Sequence, residues 1–251
     1  MPVISPIEHE MAMLDFAVLS TDGRMSELTV PIRTVVNAGY AGRNSAAIQA
    51  HIAELARDGV APPPDVPMFY RLPRGVVCQE AIIEVTGHRT SGEVEYVLVV
   101  TSEGMLVTVG SDHTDREAER SNVAISKQIC PNIVAREAWD FESVARHWDE
   151  LVLRLWVTPE EGLPAVLYQE GLCAELLPPT ALLDQVVSRL PEGTGEGLVV
   201  FSGTVPMIEP LKLYGGSVIC ELEDPRLNRL LRCRYDVRQI RLNPVAVGAR
   251  V

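Results

Sequence analysis

Within Ser91–Glu117 (SGEVEYVLVVTSEGMLVTVGSDHTDRE), Glu93 and Glu95 stand two residues apart in an extended apolar run, and Asp112 follows in a cluster of ionisable residues. Side chains alternate faces along a strand, so Glu93 and Glu95 share one face while Val94 points to the other. Two carboxylates on one face repel each other unless a proton, a basic group or a cation lies between them. Asp112 as a third donor would complete an all-oxygen set suited to a hard divalent cation. The same Glu-x-Glu spacing also describes the solvated face of an edge strand, so the surrounding residues must separate the two readings.

Several of them carry chemistry of their own. His51 and Glu54 lie three apart on a predicted helix, hence on one flank. A carboxylate beside an imidazole orients it and raises its basicity, as a general base requires; a surface pair has the same spacing. The glycine-rich run Ala38-Gly39-Tyr40-Ala41-Gly42-Arg43 precedes that helix and suits a lid or a close approach to ligand. Lys127 can offer an ammonium to a substrate carboxylate or enolate, or simply face water. Ser202-Gly203-Thr204 follows the apolar run 198–201, where a glycine and a hydroxyl can meet an anion or merely turn the chain. Gln169 ends another strand and can bond substrate or sit in a turn. Thr114 and Asp115 read equally as a helix cap, with Arg116 pairing to Glu119 one turn on. His9, His88 and His147 receive no role, and Cys130 has no base beside it.

These residues need elements to hold them. Short strands are expected over 14–36, then a helix capped by Asn44 or Ser45 and stopped by Gly59. Strands are predicted over 79–87, 93–100 and 105–110, a polar helix over 114–129, and another over 140–151 with Trp148 packed. Strands over 151–157 and 164–169, a helix over 180–190, and strands over 197–202, 217–223 and 230–240 complete the chain. Many short strands, few helices and no βαβ alternation predict an α+β, mainly β fold.

Composition narrows the function. The chain has 251 residues, enough to bury a substantial core. A formal net charge of −12 argues against nucleic acid or an anionic membrane as partner. Five scattered cysteines with no CxxC pair fit neither a disulfide framework nor a zinc site, and point to a reducing, cytoplasmic setting. The N-terminal MPVISPIEHEMAMLDFAVL lacks a basic leader, so no signal peptide is expected, and no run is long enough to span a membrane.

Taken in order, these pieces resemble the fumarylacetoacetate hydrolase superfamily. Gly39-Tyr40 followed by His51-Ile52-Ala53-Glu54 is similar to its tyrosine and His-x-x-Glu lid segment, and Pro67-Met68-Phe69 to its Pro-x-Phe strand. Glu93-Val94-Glu95 resembles its paired glutamates, and Ser111–Arg116 its Asn-Asp-x-Ser-x-Arg segment with the third ligand. Lys127, Gln169 and Ser202-Gly203-Thr204 fall where it has a substrate lysine, a glutamine and Thr-Gly-Thr. The order of these pieces covers about residues 35–225. More closely, the SDHTDRE, SKQICP, HWDEL and YQEG strings resemble a prokaryotic group described as a domain of unknown function, DUF2848, usually placed in the same superfamily. Two departures stand out: the Glu95–Asp112 spacer is shorter than in typical members, and the Arg43–His51 stretch is longer.

The resemblance implies a mixed β-roll or sandwich with flanking helices, with strands 1–35 packed on a catalytic unit of residues 36–251. It implies Mg²⁺ or Mn²⁺ on Glu93, Glu95 and Asp112, with His51, Glu54 and Lys127 catalytic and Tyr40, Arg43, Gln169 and Thr204 binding substrate. The implied activity is hydrolytic cleavage of a C–C bond in a small oxo or dicarbonyl acid through a metal-stabilised enolate, in a homodimer. Decarboxylation, hydration or tautomerisation of a related oxo acid is the alternative, and a non-catalytic binding protein of the same fold is the third reading.

Overall fold

The computed structural model describes residues 12–57, 59–191, 195–208 and 213–241, with the backbone alone described at His51 and Glu54. The expectations for the N-terminal segment and for the outer ends of the two assigned units fall on residues 1–11 and 242–251, outside the described residues.

Three strands, β1 (Met13–Leu19), β2 (Met25–Pro31) and β3 (Thr34–Gly39), lead into helix α1 (Ser45–Arg57). Next come β4 (Met68–Leu72), β5 (Val77–Cys78), β6 (Ile82–Val85), β7 (Thr90–Ser91) and β8 (Val94–Val100). β9 (Met105–Asp112) returns beside β8, and β10 (Thr114–Asp115) opens onto α2 (Arg116–Ser121) and α3 (Val123–Ile129). β11 (Asn132–Val134), β12 (Glu137–Asp140), β13 (Val152–Thr158) and β14 (Val166–Leu172) follow, then α4 (Pro179–Val187), β15 (Leu198–Phe201), β16 (Gly216–Asp224) and β17 (Arg229–Gln239).

A large sheet runs β2-β1-β12-β9-β8-β15-β3-β4, with β11 also on β9 and β5 on β11; a smaller sheet runs β14-β13-β16-β17-β6. Between them lies one core. Val94, Tyr96, Leu98, Val107 and Val109 from the large sheet meet Leu153, Leu155, Cys220, Leu222 and Tyr235 from the small one. The other face of the large sheet buries Leu14, Phe16, Val35, Val97, Val99, Val134, Val199 and Phe201 in a second core. β8 is therefore central and covered on both faces, which removes the edge-strand reading of Glu-x-Glu. Glu95 occupies a position of the second core, 1% exposed among valines.

The short spacer after Glu95 has a direct explanation. β8 and β9 form an antiparallel hairpin that pairs Glu95 with Gly110, and Glu93 O accepts the Asp112 N–H at 3.1 Å. Asp112 arrives across one ladder, on the face that carries Glu95, with no intervening helix. Gly110 lies beneath this face. A Cβ there would stand 2.5 Å from Ile133 O and 3.1 Å from Phe201 Cε1.

Two helices differ from expectation. Residues 114–129 form α2 and α3, broken at Asn122 (φ −164°, ψ 108°), whose side chain caps α3 by accepting from Ile125 N at 3.0 Å. Asparagine offers the backbone this local bond in place of a helical one, and the break turns Lys127 into the protein. Residues 141–150 form two short 3₁₀ segments instead of one helix, with non-helical angles at Val144 and His147. His147 Nε2 is tied to Asp224 at 3.0 Å, while Trp148 meets Tyr96 edge-on at 4.9 Å, and the two anchors draw the chain off the helical path. α1 keeps its predicted form: Asn44 Oδ1 accepts from Ala46 N and Ala47 N, and Gly59 (φ 91°) follows its end. All five cysteines are free thiols, and no helix among the described residues is long and apolar enough to cross a membrane.

Candidate metal centre

Glu93, Glu95 and Asp112 each present a carboxylate oxygen within 4.8 Å of the other two. Metal–oxygen distances of about 2.0–2.6 Å place such a trio within reach of one hard cation. The donors are all oxygen, and Asp112 Oδ1 is buried with no hydrogen-bond partner among the described residues, so the set fits Mg²⁺ or Mn²⁺.

Each carboxylate is held by the chain around it. Glu95 accepts the Gly203 N–H at 2.9 Å, and Gly203 adopts φ 84°, the left-handed region glycine enters freely. A Cβ at Gly203 would also lie 3.1 Å from Ala38 O. Glu93 accepts from Arg116 Nη1 at 2.8 Å, and Arg116 also bonds Glu119 at 3.1 Å and Ser91 Oγ at 2.7 Å. Asp112 accepts from Lys127 Nζ, which also stands 3.7 Å from Glu93. Among the described residues, Arg116 and Lys127 thus bring positive charge to the three carboxylates.

The electrostatics agree. Burial pushes the Glu95 carboxyl well above its ordinary range, with Asp112 and Glu93 adding to the effect and Lys127 and the Gly203 N–H opposing it. Burial works against the Lys127 charge, but Asp112, Glu93 and Glu95 outweigh it and hold the ammonium protonated far above its free value. A carboxyl with a raised folded pKa retains a proton that the unfolded chain has released. Metal-free stability therefore falls as pH climbs from the ordinary carboxylate value toward the raised one. A cation must displace that proton, so its apparent affinity is expected to rise with pH, by up to about tenfold per unit until Glu95 is ionised. Calorimetric titration with Mg²⁺ over about pH 5–8 checks this; a pH-independent affinity would contradict it.

The remaining predicted residues divide. Tyr40, half-buried with φ 55°, lies at the rim: burial raises its hydroxyl pKa, and Glu119, Lys127 and Glu93 are close enough to act on it. Thr204 and Gln169 brace the wall. Thr204 Oγ1 donates to Val94 O at 2.8 Å, and Gln169 receives the Val94 N–H at 2.9 Å while its NH₂ meets Thr204 Oγ1 and Val205 O. Both side chains fix the start of β8. Arg43 is not brought to the cluster: its guanidinium bonds Asp149 at 2.8 Å and the Leu176 carbonyl at 2.6 Å. His51 and Glu54 sit on α1, and their side chains lie outside the described residues. Asp115 is a cap, accepting from Glu117 N and Ala118 N, and His113 is a buried partner of Tyr235 at 2.9 Å.

Sequence reasoning missed Arg116 as the partner of Glu93, and it missed two buried asparagines, Asn37 and Asn132, on the same face as Asp112. The available signal was an amide set in an apolar run, Val35-Val36-Asn37 and Asn132-Ile133-Val134.

The family model described as "Protein of unknown function (DUF2848)" matches residues 38–235. A search of curated protein sequences returns no match. Among solved structures, Cg1458 with inhibitor is 15% identical, with a TM-score of 0.63 over 86% of this chain and 81% of that one. A 2-keto-3-deoxy-D-arabinonate dehydratase complexed with magnesium and 2,5-dioxopentanoate is 17% identical, with a TM-score of 0.59 over 86% of this chain and 77% of that one.

Proposed function

The chain belongs to the DUF2848 family and carries the fumarylacetoacetate hydrolase fold, and from that premise we propose that it is a divalent-metal-dependent enzyme acting on a small oxo acid. The observation that carries this reading is the buried carboxylate trio with Lys127 at its edge. Glu93, Glu95 and Asp112 hold Mg²⁺ or Mn²⁺, which supplies Lewis acidity toward the oxygens of an oxo acid. Lys127, kept protonated by its neighbours, places a fixed positive charge where negative charge grows on the substrate. Gln169, Thr204 and Gly203 keep the ligand strand rigid, so little reorganisation accompanies the reaction. Tyr40 closes the rim, and His51, oriented by Glu54, serves as the base that activates water or moves the proton.

Hydrolytic cleavage of a C–C bond in a dicarbonyl acid is the first choice of reaction. Dehydration of a hydroxylated oxo acid is the second, favoured by the magnesium-bound dehydratase of the same fold. The enzyme works as a cytoplasmic homodimer in this account. A screen of acylpyruvates, oxaloacetate, 2-hydroxydienoates and 3-deoxy-2-oxo acids, with and without Mg²⁺ or Mn²⁺, tests it. Metal-dependent turnover of a member of this set is expected. Equal melting of metal-free and metal-loaded protein, together with no turnover, would leave a binding protein as the better reading.

A further inference from the structure

Seven buried side-chain atoms lack a hydrogen-bond partner among the described residues, and five of them belong to three residues at the metal centre. They are Asp112 Oδ1 and both amide atoms of Asn37 and of Asn132. All three side chains are fully buried. β11 pairs Asn132 with Asp112, whose N–H is turned toward Glu93 on β8. That makes Asn132–Asp112 the type of antiparallel pair whose side chains approach most closely. Asn37 lies on β3, which β15 and β8 separate from β9 in the sheet order, and the curl of the sheet brings its amide to Asp112. The Asn37 amide stands beside Asp112 yet makes no hydrogen bond of regular geometry to it among the described residues.

An amide brings one donor group, one acceptor and no charge. A ligand carboxylate or bare carbonyl would satisfy only the donors and leave the acceptors buried and unpaired, which is unfavourable. A group with an O–H satisfies both. We propose that Asn37 and Asn132 form a neutral amide clamp beside Asp112 for an O–H group, either a hydroxyl carried by the ligand or an ordered water. The clamp rests on the metal-dependent reading above and adds to it the chemistry of the oxygen held next to the carboxylates.

Asn37→Leu and Asn132→Leu test it, since leucine fills nearly the same volume without polar atoms. Mn²⁺ binding is measured by calorimetry, then hydroxypyruvate, pyruvate and oxaloacetate binding to the Mn²⁺-loaded protein, with melting curves of each variant. If the ligand supplies the hydroxyl, wild type binds hydroxypyruvate about tenfold more tightly than pyruvate, and the leucine variants lose that preference. If water supplies it, the variants weaken Mn²⁺ alone by about tenfold, and the two oxo acids bind alike throughout. In either case the metal-free variants melt at or above wild type, because unpaired buried amides have been removed. Should a leucine variant fail to fold, serine at the same position takes its place, expected to retain part of the effect. The clamp is overturned if folded variants keep Mn²⁺ affinity and ligand preference within about twofold of wild type, or if oxaloacetate binds tightest. Failure of wild type to bind Mn²⁺ at all refutes the metal-dependent reading itself and the clamp with it.

Discussion

Glu95→Gln is expected to weaken Mg²⁺ or Mn²⁺ binding by at least about 100-fold, more than the 10–100-fold typical of losing a group that merely supports a ligand. Glutamine keeps the length of the side chain and an oxygen to accept the Gly203 N–H, so the wall at Gly203–Thr204 should hold. What disappears is a charge that burial and two neighbouring carboxylates already strain. The metal-free variant is therefore expected to melt higher than wild type, while added Mg²⁺ no longer shifts its melting temperature. Calorimetric titration and paired melting curves read both effects. A stabilised fold with unchanged affinity would mean that Glu95 is not a ligand.

Lys127→Met removes the ammonium buried beside Asp112 and Glu93 and is expected to act in two directions. Without metal, Asp112 and Glu93 lose the contacts that balance them. Breaking a buried ion pair on one side costs about 3–5 kcal/mol, so a marked drop in chemical-denaturation stability is expected. With Mg²⁺ present, a large part of that loss should return, because the cation now meets the carboxylates without competition. Turnover, by contrast, should stay depressed by about 100-fold or more, the scale of removing a preorganised charge from a transition state. Recovery of full turnover on adding metal would assign Lys127 to stability alone.

The sequence was legible where chemistry follows from alternation. Glu93 and Glu95 share a face in any strand, and Asp112 at the end of the next strand reaches the same face through a hairpin. The short spacer read as a departure because the resemblance suggested a longer route between ligands, whereas an antiparallel return needs only a turn. Gln169 and Thr204 were found as positions near the site, but their work on β8 depends on tertiary partners 75 and 110 residues away. The helix expected over 140–151 failed for the same kind of reason: the anchors at Asp224 and Tyr96 are remote in sequence. Arg43 shows the limit of reading by neighbourhood. It follows the glycine-rich run closely, yet Asp149 claims it from 106 residues downstream. Asn37 and Asn132 emerged only once burial was known, since an exposed asparagine in a strand carries no such meaning.

Metal dependence requires that one divalent cation sit among the three carboxylates. Anomalous diffraction from Mn²⁺-soaked crystals measures that directly. One peak is predicted, bounded by oxygens of Glu93, Glu95 and Asp112 at about 2.0–2.6 Å and displacing Lys127 Nζ from Asp112. No peak at that position, with the ammonium still seated on Asp112 at saturating Mn²⁺, would contradict it: the carboxylates would then be held by Lys127 and Arg116 alone among the described residues.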